Sequence, residues 1–184
     1  PPVPDGLPLR LVGGVHALYL RGELPELDRL FDGSLDSLTA IVDLMRRVLQ
    51  THDHALMPWL DSPPQTNEAA RSASLMAGLA WLADRGCEAF EIWEIGSSAG
   101  LNLMIDRYRF DLGGNVYGPA DSPVTIAPEW RGAAPPAASP NIVSTRGVDI
   151  KPVDVVTDDA AAERLRAYVW HDNRERLDRL DRAI

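Results

Sequence analysis

An acidic residue, a small-residue turn and an amide side chain follow one another near the middle of the chain. Glu94 stands near the end of an apolar run that begins at Phe90, residues 96–100 read Gly-Ser-Ser-Ala-Gly, and Asn102 follows. Glycines at alternate positions let a ligand approach bare backbone, and amides at the start of a following helix could donate hydrogen bonds to it. Since ligands of α/β sheets bind beyond the carboxyl ends of strands, this stretch predicts a ligand site.

The segment 94–100 resembles the first motif of Rossmann-like methyltransferases, in which an acidic residue precedes glycines at alternate positions. The resemblance implies S-adenosylmethionine as the cofactor, and a carboxylate suits its ammonium group. Ser98 departs from the motif, because a glycine usually occupies that middle position. The acidic residue that holds the ribose in such proteins corresponds to Asp149, with Asp154 as the second candidate. The cofactor site so implied comprises Glu94, Gly96, Ser97, Ser98, Gly100, Asn102 and Asp149.

The same letters also match G-x-S-x-G, the nucleophile turn of α/β serine hydrolases. Ser98 would then attack a carbonyl, and the order Ser98, Asp149 or Asp154, and His171 follows that of the class. The segment before Phe90 is predicted to be helical, however, and lacks the strands that normally precede such a turn. A non-enzymatic ligand-binding protein and a purely structural turn are the remaining interpretations. The spacing does not match the dinucleotide motif G-x-G-x-x-G.

A second polar stretch begins a predicted helix. Its candidate substrate-binding residues are Gln65, Asn67, Glu68 and Arg71. Glu68 and Arg71 are three residues apart and share one helix face. A helix cap with an acidic first turn explains the same residues without any ligand.

Residues 1–88 are predicted to form a helical region. The apolar spacing around Gly13-Gly14 indicates one helix, Ser34 is the expected cap of the next, and Pro58 with Pro63-Pro64 indicates a break. Thr66 or Asn67 is expected to cap a third helix, which ends near Gly86. The histidines near residue 53 diverge, so the sequence predicts no metal site.

Residues 89–184 are predicted to form the first part of a Rossmann-like α/β domain. A strand from Phe90 precedes the turn, a helix covers 101–108, and a hairpin turns at Gly113-Gly114. A strand including 147–150 and helices over 158–170 and 174–184 follow. We therefore expect an α/β chain with an N-terminal helical region and an incomplete methyltransferase-type sheet carrying a β-hairpin insertion. So few strands indicate a fragment of a longer protein, or a homo-oligomer that completes the sheet.

The composition is that of an ordinary globular protein, with a net charge of −9. Such an acidic balance disfavours nucleic acid as the partner. The single cysteine, Cys87, excludes an intramolecular disulfide framework, and no secretory leader is evident. The longest uncharged run is too short to span a bilayer. These features predict a cytoplasmic protein with no membrane partner, whose ligands are a small-molecule cofactor and an unknown acceptor.

Several stretches together resemble a bacterial family known as domain of unknown function 2332. The stretches are residues 13–18, 63–72, 94–103, 106–108 and 164–170. They extend over nearly the whole chain. The resemblance implies a methyltransferase-like fold and a chain that is longer at both ends, but no particular activity.

Overall fold

The computed structural model describes residues 6–184, which form two compact units. The helical unit contains the described residues up to Thr66 together with Asp159–Arg174. The sheet unit contains Asn67–Asp158 together with Glu175–Ile184. Both helices and strands are present, so the chain is a mixed α/β protein, with strands in the sheet unit only. No described helix combines the length and apolar character needed to cross a membrane.

Most of the helical unit is made of short helices around an apolar core. The helices are α1 (Leu7–Leu20), α2 (Asp28–Phe31), α3 (Leu38–Thr51), α4 (Asp53–Leu60) and α6 (Asp159–Ala167). The core cluster is formed by Val15, Leu18, Leu24, Leu27, Leu44, Val48 and Leu56. On α3 only Leu44 and Val48 are buried. Met45 and Leu49 are half-buried and pack against the core, whereas Leu38 and Val42 are exposed.

Several predicted helix boundaries are wrong, among them a cap and a proline position. Ser37, not Ser34, caps α3, and its Oγ accepts a hydrogen bond from the Ala40 amide at 3.4 Å. Pro58 lies inside α4 instead of ending a helix. A proline removes one helical N–H, which leaves the carbonyl of His54 without its usual donor. His54 is exposed, so water can satisfy that carbonyl.

The Gly13-Gly14 pair lies within α1, where aromatic side chains come closest to the helix backbone. A Cβ at Gly13 would lie 2.4 Å from Cε1 of Tyr168, and one at Gly14 would lie 2.8 Å from Cγ of Trp59. The two glycines weaken the helix intrinsically, but they let two aromatic rings pack directly on its backbone.

The sheet unit contains two small sheets. Strands β1 (Phe90–Ile95) and β5 (Ile142–Val148) form a parallel pair, with Ile95 opposite Val148. Strand β2 (Arg109–Leu112) pairs antiparallel with β3 (Asn115–Tyr117) and parallel with β4 (Thr125–Ile126). The hairpin turns at Gly113-Gly114 as predicted, with both glycines at positive φ. Helices α5 (Ser72–Ala83) and α7 (Arg174–Ala183) complete the inventory, and α7 closely matches its prediction.

Three predictions around the sheet need correction. The turn leads into a short 3₁₀ segment, Leu101–Met104, instead of a helix to residue 108. The Tyr108 hydroxyl donates to the Leu101 carbonyl at 2.7 Å, which occupies the acceptor that an α-helix would use. Strand β5 ends at Val148, so Asp149 lies just beyond it. The two-residue strand β4 was not predicted, since so short a strand has no periodicity to detect.

Candidate functional site

The turn after β1 is as sharp as the sequence predicts. Gly96, Ser98 and Gly100 all adopt positive φ, at 74°, 52° and 73° respectively. Among the described residues Ser98 is the only non-glycine with positive φ. Because β1 and β5 are parallel and Ile95 pairs with Val148, the turn and Asp149 lie at the same sheet edge. Such an edge is where α/β proteins place ligands.

Main-chain amides of this turn are already hydrogen-bonded within the chain. The amides of Gly96 and Ser97 donate to the Val148 carbonyl at 2.7 and 3.2 Å, and the Gly100 amide donates to the Ser97 carbonyl at 2.7 Å. The Ser98 amide donates to Oδ2 of Asp149 at 2.8 Å. The expectation that these amides face a ligand is therefore wrong. Any ligand here must be held mainly by side chains.

Asn67 ties the two ends of the turn together. Its Nδ2 donates to the Ser97 carbonyl at 3.0 Å, and its Oδ1 accepts from the Leu101 amide at 2.7 Å. Only 8 % of Asn67 is exposed. An asparagine side chain can pair with backbone as another peptide group would, so Asn67 closes the turn as a peptide segment could. Asn67 was predicted to contact a substrate, and in the structure its side chain is hydrogen-bonded to the backbone of the turn.

Glu94 and Asn102 form a second polar pair at the same edge. Nδ2 of Asn102 donates to Oε1 of Glu94 at 3.0 Å, which fixes the orientation of the amide. The other two oxygens, Oε2 of Glu94 and Oδ1 of Asn102, are buried and have no hydrogen-bond partner among the described residues. An unpaired buried acceptor costs about 1–3 kcal/mol, and more when it is charged. The pair therefore offers two acceptors to a group that carries N–H or O–H donors.

Asp149 follows β5, the strand that pairs with β1, and backbone amides hold it as a carboxylate. Its Oδ1 accepts from the Lys151 amide at 2.8 Å, and its Oδ2 accepts from the Ser98 amide. These two hydrogen bonds, led by that of Lys151, lower the pKa of Asp149 below its usual value. A carboxylate has about four acceptor positions, so each oxygen keeps a further lone pair.

The other three predicted substrate-binding residues, Glu68, Arg71 and Gln65, differ in burial and contacts. Glu68 pairs with Arg176 at 2.6 Å and with Arg179 at 2.9 Å, both on α7, and it accepts from the Ala70 amide. Arg71 is exposed. Gln65 is half-buried and belongs to the helical unit. Arg176 and Arg179 are three residues apart and share one helix face, a spacing from which an ion cluster on α7 could have been predicted.

The hydrolase candidates are also bonded to other groups. Asp154 accepts from the amides of Val156 and Thr157, and Asp149 accepts from backbone amides. The imidazole of His171 packs on the rings of His16, Tyr19 and Phe31 in the helical unit, with ring centroids 4.4–5.7 Å away. Ser98 is 8 % exposed. The carboxylates that would orient a catalytic histidine are thus engaged with backbone.

Among residues 6–184 no group of three or more histidine, cysteine or acidic side chains is arranged to hold a metal ion. No significant match was found among proteins of curated function or among solved structures. A family model described as an uncharacterised protein conserved in bacteria, DUF2332, matches residues 2–184. Because that match extends over almost the full sequence, the chain belongs to this bacterial family, DUF2332.

Proposed function

We propose that the protein binds a small molecule through a cationic or hydroxyl-bearing group at Glu94 and Asn102. The observation that supports this is the pair of buried oxygens, one on each residue, that lack a donor. One of the two belongs to an acidic side chain, which favours a positively charged donor such as an ammonium over a neutral hydroxyl. Glu94 lies near the carboxyl end of β1 and Asn102 follows the turn, which agrees with where α/β sheets bind ligands.

S-adenosylmethionine is the first candidate for that ligand. Glu94 and Asn102 would accept from its ammonium, and the free lone pairs of Asp149 would accept from ribose hydroxyls. A Cβ at Gly96 would meet no atom within 4 Å, so there is open space beside the turn. When bound, this cofactor supplies an electrophilic methyl group for transfer to an acceptor of unknown identity. The protein's part would be alignment of that acceptor, and no catalytic residue is assigned.

Two features limit the likeness to the methyltransferase motif. The amides of Gly96, Ser97, Ser98 and Gly100 are taken by the chain, and only a 3₁₀ segment follows the turn. The amino-acid end of the cofactor would therefore be recognised by side chains, without help from a helix N-terminus. This makes Glu94 the residue on which the proposal depends.

Calorimetric titration separates the parts of this proposal. S-adenosylmethionine and S-adenosylhomocysteine carry the ammonium, whereas 5′-methylthioadenosine lacks the whole amino-acid end. We expect Glu94→Gln to weaken binding of the first two by about tenfold or more, because it removes a charge-assisted hydrogen bond. Binding of methylthioadenosine should be unchanged by the same substitution. Glu91→Gln, on the exposed face of the same strand, is the control.

The outcomes are distinct. Equal losses for all three compounds would contradict recognition of the ammonium by Glu94. No heat with any of them would exclude S-adenosylmethionine as the ligand. Covalent labelling of Ser98 by a fluorophosphonate probe would instead favour the serine hydrolase.

A further inference from the structure

We propose that the helical unit holds a second ligand site, which binds a dianionic oxyanion between Arg10, Arg164 and Tyr168. The site is independent of the small-molecule site proposed above. Its ligand class is a phosphate group or a dicarboxylate, both of which present several oxygens to N–H and O–H donors. The argument rests on packing, on unpaired donors and on charge.

Helices α1 and α6 place these three side chains together. Arg164 and Tyr168 are four residues apart, so they lie on the same side of α6 and its C-terminal extension. The ring of Tyr168 packs on α1 at Gly13, one turn after Arg10. The guanidinium of Arg164 lies 4.4 Å from the ring centroid of Trp59 and 5.8 Å from that of Tyr168. The side chains thus converge on one aromatic-lined spot.

Two N–H or O–H protons at this spot are buried and lack an acceptor. Nε of Arg10 has no hydrogen-bond partner among the described residues. The Tyr168 hydroxyl interacts with the side chain of Arg164, which can only donate to it, so the hydroxyl's own proton has no acceptor. Burial raises the pKa of Tyr168, although Arg164 and Arg10 oppose the shift, so the phenol stays protonated and can donate. Buried donors without acceptors cost about 1–3 kcal/mol each. An oxyanion would satisfy both.

The charges also need a partner. Within residues 6–184 neither Arg10 nor Arg164 makes a salt bridge, whereas Arg21 on the same unit pairs with Glu163 at 2.7 Å. Nη1 of Arg10 donates to the Leu60 carbonyl at 2.6 Å, and Nη2 of Arg164 donates to the Trp59 carbonyl at 3.5 Å. These bonds cap the end of α4 but neutralise no charge. Two guanidinium groups without a carboxylate match a ligand with two negative charges.

The bond from Arg164 to Trp59 is at the long limit for a hydrogen bond, so the Trp59 carbonyl is a weak competitor for this guanidinium. Nε of Arg10 remains available because the arginine is anchored through its other end.

Titration of the full chain with inorganic phosphate and with malonate, at constant ionic strength set by chloride, tests the site. We expect saturable binding of at least one of the two at one site per chain, and a rise in thermal midpoint that chloride does not give. Arg164→Gln and Arg10→Gln should each weaken it about tenfold or more. Arg46→Gln, an exposed residue of the same unit, is the control. Tighter binding of phosphate would indicate a phosphate group as the ligand, and tighter binding of malonate would indicate a dicarboxylate.

Tyr168→Phe gives a readout that a purely structural role would not produce. The hydroxyl's proton has no acceptor in the protein, so removing the hydroxyl should change stability little, yet weaken oxyanion binding. Should an arginine-to-glutamine variant fail to fold, Arg164→Lys keeps the charge but loses the planar fork, and should bind more weakly than the parent. The proposal is overturned if neither anion binds saturably, or if binding survives unchanged in the Arg164 variants and in Tyr168→Phe.

Discussion

At the scale of single residues, Asn67 determines whether the turn after β1 keeps its shape. Its amide satisfies a carbonyl and an N–H that are four residues apart, Ser97 and Leu101. We expect Asn67→Ala to lower the free energy of unfolding by about 1–3 kcal/mol, since it leaves the Leu101 amide without a partner. The Ser97 carbonyl loses one donor and keeps the Gly100 amide. Chemical denaturation followed by tryptophan fluorescence would measure it.

Two further variants make that prediction specific. Asn67→Asp keeps the acceptor for the Leu101 amide but replaces the donor to Ser97 with a carboxylate oxygen, so it should also destabilise. Asn141→Ala changes an exposed asparagine of the same unit and should have little effect. An Asn67→Ala protein as stable as the parent would mean that the turn does not depend on this side chain.

A second residue-scale prediction concerns pH. His16 is 4 % exposed, and its Nδ1 donates to the Ala167 carbonyl at 3.0 Å. Burial lowers the pKa of His16 below 6.5, an effect that the hydrogen bond opposes and nearby His171 reinforces. A group whose folded pKa is lowered contributes stability above its unfolded pKa and loses it as the pH falls toward the folded value. We therefore expect stability to fall as the pH drops below about 6.5.

The test compares denaturation midpoints between pH 7.5 and 5.5. His16→Asn, which retains an N–H donor, should reduce the steepness of this decline, although it lowers stability at pH 7.5. His54→Asn, at an exposed position, should leave the decline as it is in the parent. A parent whose stability does not change over this interval would contradict the role of His16.

At the scale of elements, the glycines of α1 and α5 should respond oppositely to the same change. Alanine favours a helix by about 1 kcal/mol over glycine. At Gly78 in α5 a Cβ would meet nothing within 4 Å, so Gly78→Ala should stabilise the protein by about that amount. At Gly13 it would collide with the Tyr168 ring, and overpacking costs about 1–3 kcal/mol.

Thermal unfolding of the two variants side by side measures this contrast. Gly14→Ala should behave as Gly13→Ala does, because its Cβ would meet the ring of Trp59. If Gly13→Ala were as stable as Gly78→Ala, close packing of α1 against the aromatic rings would not be what requires glycine there.

The elements themselves differed in how far sequence could predict them. Strand β1, the hairpin and α7 follow from local pattern, because each has a clear period or a turn dipeptide. The 3₁₀ segment after the turn does not, since it depends on the Tyr108 hydroxyl reaching back to Leu101. Ser34 and Ser37 are equally good caps by type, so residue type alone does not predict that Ser37 caps α3.

The candidate site likewise has features that local sequence could predict and features that it could not. The acidic residue and Asn102 were identified by motif, and their proximity follows from the turn between them. Their mutual hydrogen bond and their unpaired oxygens depend on side-chain orientation, which spacing does not determine. The capture of turn amides by Asp149 and Asn67 depends on residues about 30 to 50 positions away, so it is a tertiary property that local pattern cannot show.

At the scale of the whole molecule, a negative net charge accompanies an exposed apolar sheet face. Ile95 is 90 % exposed and Trp93 is 62 % exposed on β1, while Val148 opposite Ile95 is 58 % exposed. Parallel strands usually have both faces covered. An uncovered apolar face favours association, whereas a net charge of −9 keeps copies of the chain apart. The balance between these effects can be measured.

Ile95→Lys separates the two effects. It makes the net charge less negative by one, so it should increase self-association if charge repulsion dominates. If the exposed sheet face dominates, as we expect, the same change places a charge in the apolar patch and should reduce self-association. Sedimentation velocity at pH 7.5 over a range of protein concentrations measures this. Val116→Lys adds the same charge at an exposed position on β3 and should not reduce association, so equal effects of the two variants would contradict a role for the face around Ile95.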